Sequence, residues 1–372
     1  MKKILFVLPS LCGGGTEKVV LNLLNYLNRK KFALYLALFE YKGIYLVDLP
    51  ENIVVYNLNK KNKFDFLKLV FSLAYRVFPD VKPDVVISFL LYTNLVVLLA
   101  KLLSYTKPKV IINERVSINS ELKVQKFWKV KKLLMQSLYR YADRIIAVSK
   151  GSAQKLAELL GLPYGKINVI YNGIAYPIEQ NAGSGESLVL KNIGRVPIIV
   201  SCGRLTWQKN HELLIKAVYI VLKKMDIRVL ILGEGPEEAN LRKSVCRLGM
   251  EDKVLFLGFQ KDIYKYIKIA DVFVLPSRYE GFPNVILEAM ACGVPVISTN
   301  CPDGPNEIIV DGVNGMLVPP DDVNAMAQAI IQLLNDENLR ERFRMEGWKC
   351  IRHFGIDKMV AEYEKVFNMI ST

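Results

Sequence analysis

Two glutamates with seven residues between them, Glu280 and Glu288, bracket the run Gly281-Phe282-Pro283-Asn284-Val285-Ile286-Leu287. Paired carboxylates suit proton transfer, and equally suit holding a vicinal diol such as a ribose by accepting its two O–H groups. Upstream, Arg204 and Lys209 share one short segment, Gly203-Arg204-Leu205-Thr206-Trp207-Gln208-Lys209-Asn210. A planar fork and a point charge on one loop can divide a diphosphate between them. Gly233 and Gly235 (in Gly-Glu-Gly-Pro) and Gly258 lack a Cβ and allow close approach to the backbone. Each residue also has a plainer reading: Arg204 as a salt-bridge partner, Glu288 as a helix-surface charge, the glycines as tight turns. Their common placement, directly after short apolar runs, is what favours a site.

Those runs are Ile198–Cys202, Val229–Leu232, Val254–Leu257, Val272–Leu275 and Val294–Ser298. Short apolar runs alternating with helical stretches predict a parallel sheet covered on both faces, with ligands at the carboxyl ends of the strands. Val285–Ala291 is expected as a short helix with Pro283 in its first turn, so that its amino end offers N–H groups to an anion. The first half repeats the pattern at Ile4–Leu8, Leu34–Phe39, Ile53–Tyr56, Val85–Phe89, Val110–Ile112, Ile145–Val148 and Val169–Tyr171. Its first strand runs into Gly13-Gly14-Gly15 and a helix striped by Val19, Val20, Leu23, Leu24 and Leu27. Gly14 and Gly15 could face a phosphate there, although the spacing is not the GxGxxG of dinucleotide sites. Asn113-Glu114-Arg115 and Ser149-Lys150-Gly151 follow two further strands and are expected on the same rim.

A chain of 372 residues is long for one core. Residues 1–175 are read as one α/β domain, 176–197 as a Gly- and Ser-bearing linker, and 198–355 as a second α/β domain. The final stretch, 356–372, carries Met359, Val360, Tyr363, Val366, Phe367 and Ile370 on one helical face, expected to pack back on the first domain. The net charge of +14 belongs to the first half, where 27 Lys and Arg face 11 Asp and Glu; the remainder has 23 against 25. Residues 123–132 interleave Lys123, Lys126, Lys129, Lys131 and Lys132 with Phe127 and Trp128. Two readings stay open for them: a helix resting on an anionic membrane, or a surface helix packed on its own domain. No nucleic-acid module accompanies the lysines. Six cysteines without a CxxC pair fit a reducing cytoplasm, and neither a disulfide framework nor a zinc site is expected. No apolar run is long and clean enough to span a bilayer, and MKKILFVLPSL reads as a first strand.

The motif set resembles the retaining glycosyltransferases of family 4, which have the GT-B fold of two Rossmann-like doubly wound domains facing across a cleft. The resemblance rests on Gly14-Gly15-Thr16-Glu17, Asn172-Gly173, Gly203-Arg204 with Lys209-Asn210, Gly233-Glu234-Gly235-Pro236 and Glu280…Glu288, in that order along nearly the whole chain. It implies a nucleotide-diphosphate sugar, with uracil as the base, as donor and substrate, and no metal or other cofactor. Glu288 would hold the ribose, Arg204 and Lys209 the departing diphosphate, and Glu280 with Gly281, Phe282, Pro283 and Asn284 the sugar. Gly14 and Gly15 would close over the phosphates, with Gly233, Gly235 and Gly258 beside the donor. Many relatives have a cleft histidine where this chain has Asn113-Glu114-Arg115, so Glu114 and Arg115 become candidates for acceptor or sugar contacts. Similar bacterial enzymes extend glycans on polyprenyl-diphosphate carriers. That implies a hexose or N-acetylhexosamine transferred at the inner face of the cytoplasmic membrane, with Lys123, Lys126, Trp128, Lys129 and Lys131 toward lipid. A nucleotide-sugar epimerase of the same fold and a non-catalytic nucleotide-sugar or lipid-binding protein are the competing expectations.

Overall fold

The computed structural model describes residues 1–62, 64–115, 128–175 and 196–370. The chain divides into two compact units, Met1–Gly173 with Ile356–Thr372, and Ile174–Gly355. The stretch expected as a linker lies almost wholly in 176–195, outside the described residues.

The first unit holds a seven-stranded, all-parallel sheet: β1 (Lys2–Leu8), β2 (Phe32–Leu38), β3 (Val54–Asn57), β4 (Val85–Phe89), β5 (Lys109–Glu114), β6 (Arg144–Ala147) and β7 (Ile167–Val169), in the order β3-β2-β1-β4-β5-β6-β7. β4 and all of β5 beyond Lys109 are buried, as strands covered on both faces must be. Helix α1 (Gly15–Tyr26) lies on one face. On the other lie α2 (Phe66–Ser72), which continues through a π-helical turn at Leu73–Val77 into α3 (Phe78–Val81), together with α4 (Leu91–Leu103), α5 (Trp128–Leu138) and α6 (Lys150–Leu160). The apolar stretch 95–103 is α4, with Leu95–Leu98 and Ala100 in the core.

The second unit has a six-stranded parallel sheet: β8 (Ile198–Cys202), β9 (Arg228–Leu232), β10 (Val254–Phe256), β11 (Val272–Leu275), β12 (Val296–Thr299) and β13 (Met316–Val318), in the order β10-β9-β8-β11-β12-β13. Its helices are α7 (His211–Leu222), α8 (Glu238–Arg247), α9 (Tyr264–Ile267), α10 (Asn284–Ala291), α11 (Pro305–Ile308), α12 (Val323–Asn335) and α13 (Glu337–Ile351). Asp322 and Asp336 cap α12 and α13 by accepting the backbone N–H of Ala325 and Leu339. β13 has no counterpart among the expected strands: three residues between Gly315 and Pro319 are too short to show a period.

The last helix, α14 (Ile356–Met369), belongs to the first unit, where Met359, Val360, Tyr363, Val366 and Phe367 join the core over α1. Phe367 meets Phe32 edge-on at 5.8 Å, Lys31 pairs with Glu364 at 3.2 Å, and the Lys2 ammonium donates to the Phe367 carbonyl. Among the described residues no helix is long and apolar enough to cross a membrane.

Candidate functional site

In each sheet the strand order reverses once, between β1 and β4 and between β8 and β11. Chain segments leaving two neighbouring strands in opposite directions open a crevice at their carboxyl ends. In the second unit the two segments at this point are 203–210, after β8, and 276–283, after β11: the two that carry Arg204, Lys209 and Glu280.

They are laced together. The Arg278 N–H donates to the Gln208 carbonyl (2.8 Å), and the Gln208 amide returns a bond to the Tyr279 carbonyl (2.9 Å). The Arg278 guanidinium lies over the Trp207 ring at 4.6 Å, donates to the Trp207 carbonyl and pairs with Asp321 at 3.0 Å. Asn210, left-handed at φ 52°, donates to Asp321 and starts α7. Within this frame the Lys209 ammonium donates to Glu280 Oε1 at 2.6 Å, and the Ser277 hydroxyl donates to the same oxygen at 2.6 Å. No hydrogen bond from any described residue reaches Glu280 Oε2. The Arg204 side chain is exposed and has no ion pair or side-chain hydrogen bond among the described residues. Ser277, Gln208, Arg278 and Trp207 were not singled out from sequence. Ser277 alone carried a signal, being the first hydroxyl after a buried strand.

Of the three glycines beside these loops, Gly233 and Gly235 are crowded by the protein's own backbone, and Gly258 is left-handed at φ +66°. A Cβ on Gly233, at φ +134°, would stand 2.0 Å from the Gly203 carbonyl oxygen, and one on Gly235 2.3 Å from that of Leu205. The Gly233 N–H in turn donates to the Gly258 carbonyl at 2.8 Å. Their close approach is to the protein's own neighbouring loop, which sets where Arg204 begins. Glu280, Gly281, Phe282 and Pro283 are buried, Phe282 against Phe354 at 5.5 Å. Pro283 caps α10 with φ −81° and ψ 91°, one residue ahead of the helix rather than within its first turn, and Asn284 is the first helical residue. Glu288 lies on α10 and is 7% exposed. His211, the first residue of α7, is buried, and desolvation with the nearby Lys209 charge pushes its imidazole down to about 3. It is therefore neutral at pH 7, and its Nδ1 has no partner among the described residues.

In the first unit Gly14 caps α1 without a side-chain bond and Gly15 begins the helix, while a Cβ on Gly14 would meet the Glu17 carboxylate at 2.3 Å. The Asn113-Glu114-Arg115 rim is not a solvated edge: its residues are 0%, 4% and 8% exposed. Glu114 accepts from the Asn94 amide at 2.8 Å and from the Tyr139 hydroxyl, whose pKa burial drives well above the usual phenol range. Burial lowers the Arg115 guanidinium, opposed by Tyr363 and Glu17, and its NH1 lacks a partner among the described residues. Asn113 donates to the Tyr363 hydroxyl. Trp128 and Lys129 are exposed on α5, Lys131 is half-buried there, and Lys123 and Lys126 lie outside the described residues.

Residues 13–175 match the profile of Glycosyltransferase Family 4, and residues 189–349 that of Glycosyl transferases group 1. The sequence is 34% identical over 353 residues, 92% of this chain and 93% of the other, to an N-acetylgalactosamine-N,N'-diacetylbacillosaminyl-diphospho-undecaprenol 4-alpha-N-acetylgalactosaminyltransferase of Campylobacter jejuni. A Bacillus anthracis N-acetyl-alpha-D-glucosaminyl L-malate synthase is 34% identical over 61% of this chain and 59% of its own. Among solved structures, Anabaena HepE in complex with UDP and glucose superposes with a TM-score of 0.84 at 21% identity, over 99% of this chain and 100% of that one. Sucrose-phosphate synthase of Thermosynechococcus elongatus gives 0.84 at 18%, over 100% and 99%.

Proposed function

The chain is a GT-B glycosyltransferase of family 4, and from that premise we propose that it transfers a hexose or N-acetylhexosamine from a UDP-sugar to a polyprenyl-diphosphate-linked glycan, with retention of the donor's anomeric configuration. The observation that carries the reading is the arrangement at the β8–β11 reversal: an Arg204 without a side-chain partner among the described residues, a Lys209 held by one hydrogen bond, and a Glu280 with one oxygen occupied and the other open.

Breaking a sugar–phosphate bond throws negative charge onto the diphosphate, so the task at the transition state is to stabilise the leaving group. Lys209 has three N–H donors, and one is engaged by Glu280. The others remain for phosphate oxygens, beside the Arg204 fork. In this reading those cations take the place a divalent metal fills in other nucleotide-sugar enzymes, and the donor adds no cofactor. Ser277 and Lys209 fix the Glu280 carboxylate before substrate arrives, which directs Oε2 to a hydroxyl of the donor sugar. Glu288 accepts from the ribose. Neither acid is assigned a proton to shuttle. The acceptor goes to the first unit, where the Campylobacter relative, with its diphospho-undecaprenol-linked acceptor, supports a lipid carrier. The basic stretch 123–131, which leads into α5, would rest that unit on the anionic inner face of the membrane.

The test is a screen of radiolabelled nucleotide sugars against short-chain polyprenyl-diphosphate glycans, followed by NMR of the new linkage. Transfer from a UDP-sugar with an α-linked product, undiminished by EDTA, is expected. Conversion of the donor without acceptor would instead identify an epimerase, and an inverted linkage would remove the retaining mechanism.

A further inference from the structure

α2, α4 and α5 cover the same face of the first unit's sheet, with α4 packed against both others. Through the π turn of α2, none of the three contains an aspartate or glutamate, yet together they carry Lys68, Arg76, Lys101, Lys129, Lys131 and Lys132. On the opposite face α1 and α14 carry Glu17, Asp357, Glu362 and Glu364 against Lys18, Lys358 and Lys365. α2, α4 and α5 are thus uniformly cationic, whereas α1 and α14 are of mixed sign.

That layer is also apolar outward. Phe64, Leu67, Phe71 and Tyr75 are spaced by three, four and four residues and are 94%, 62%, 48% and 56% exposed. The inner side of the same stretch is buried too, through Leu69, Val70, Leu73, Ala74 and Val77. A helix apolar on both sides is normally covered on both. Phe71 and Tyr75 stack on each other at 6.0 Å, and the neighbouring α4 and α5 expose Leu102, Leu103, Val130, Leu133 and Leu134. The acids bracketing the stripe are engaged internally. Asp65 accepts the N–H groups of Lys61 and Asn62, and Asp80 accepts the Tyr56 hydroxyl. Asp143 pairs with Lys101, and the charges that Asp65 and Asp80 retain are outnumbered by Lys68, Arg76, Lys129, Lys131 and Lys132, so the surface is net positive.

We propose that the row Phe64, Leu67, Phe71 and Tyr75 is a second membrane anchor, seated in the headgroup region of an anionic bilayer together with α5. The inference rests on the peripheral-membrane part of the reading above and is independent of the chemistry. An aromatic and leucine row buries apolar area at the interface, and the flanking cations select anionic lipid; a neutral apolar protein surface would leave them unmatched.

Flotation of the full chain with phosphatidylglycerol-containing vesicles, and with phosphatidylcholine vesicles, decides it. Wild type is expected to float with the anionic vesicles only. Phe64→Ser/Leu67→Ser/Phe71→Ser is expected to weaken that partition by roughly a hundredfold. Its melting temperature, and its transfer to a water-soluble acceptor, should be unchanged. Phe71→Trp is expected to shift its emission to shorter wavelength on adding anionic vesicles. Wild type that floats with neither vesicle would sink both this anchor and the membrane contact at residues 123–131. Undiminished flotation of the triple variant, with binding lost on Lys126→Glu/Lys129→Glu/Lys131→Glu, would sink the anchor alone. A concentration-dependent dimer dissolved by the triple variant would make the row an interface between two copies and overturn the proposal.

Discussion

At the scale of single residues, Lys209 and Glu280 are one device, since each holds the other in place. Lys209→Ala and Glu280→Gln are each expected to lower kcat/KM by roughly 10²–10³. The double variant should lose much less than the product of the two, because the partner left behind is already misplaced. Activity surviving both changes, in a protein whose melting is unaltered, would remove the mechanism. Arg204, Lys209 and Glu280 were legible as candidates because each is a charged residue on a segment that follows an apolar run. The lacing by Gln208, Arg278 and Trp207 could not, since it depends on β8 and β11 being neighbours, which the sequence order does not state. The packing at Gly233 and Gly235 was hidden for a related reason: composition shows that a Cβ is missing, not which atoms occupy its space. His211 gives a pH test. Its imidazole titrates at about 3 in the folded protein and at the ordinary 6.5 once unfolding returns it to water, so the unfolded chain takes up the proton first. Stability from this residue is therefore complete above pH 6.5 and declines as pH falls toward 3, by roughly 1.4 kcal/mol per unit. His211→Phe should flatten the acid limb of a melting-temperature profile measured from pH 7 to 5. An unchanged limb would place the acid sensitivity elsewhere.

At the scale of elements, α14 is the last helix in sequence and belongs to the first core. Its face was readable from the spacing of Met359, Tyr363, Val366 and Phe367, and strands whose apolar runs reach four residues were readable within a residue or two. β13 was hidden by its length, and β7 was displaced, at Ile167–Val169 rather than Val169–Tyr171, because the apolar run continues past the last paired residue. Tyr363 is where this helix meets the site rim: it is fully buried, accepts from Asn113 and is hydrogen-bonded to Arg115. Tyr363→Ala should destabilise the first unit by about 3–5 kcal/mol, the range for emptying a large buried aromatic site. Tyr363→Phe keeps the packing and leaves Asn113 and the buried guanidinium without their hydroxyl, for a loss of about 1–3 kcal/mol. Chemical denaturation of both variants separates the two contributions. Equal losses would mean that the ring carries nothing beyond its hydroxyl.

At the scale of the whole molecule, two units with separate cores need not unfold together, and calorimetry is expected to show two transitions. Tyr363→Phe should lower one of them. Gly235→Ala, whose Cβ would stand 2.3 Å from the Leu205 carbonyl oxygen, should lower the other. With the transitions so assigned, UDP becomes a probe of where the donor is held. The cations and both glutamates assigned to the donor lie between residues 204 and 288, all in the second unit. A ligand that binds the folded form alone adds about 2.7 kcal/mol at a hundred times its Kd. For a domain of this size that is a rise of several degrees, expected in the transition that Gly235→Ala lowers. Lys209→Ala should shrink the rise, while Lys126→Glu/Lys129→Glu/Lys131→Glu should leave it intact, since those cations are proposed for the membrane and not for the donor. A rise confined to the transition that Tyr363→Phe lowers would move the diphosphate from the Arg204–Lys209 loop to the Gly14–Gly15 helix start.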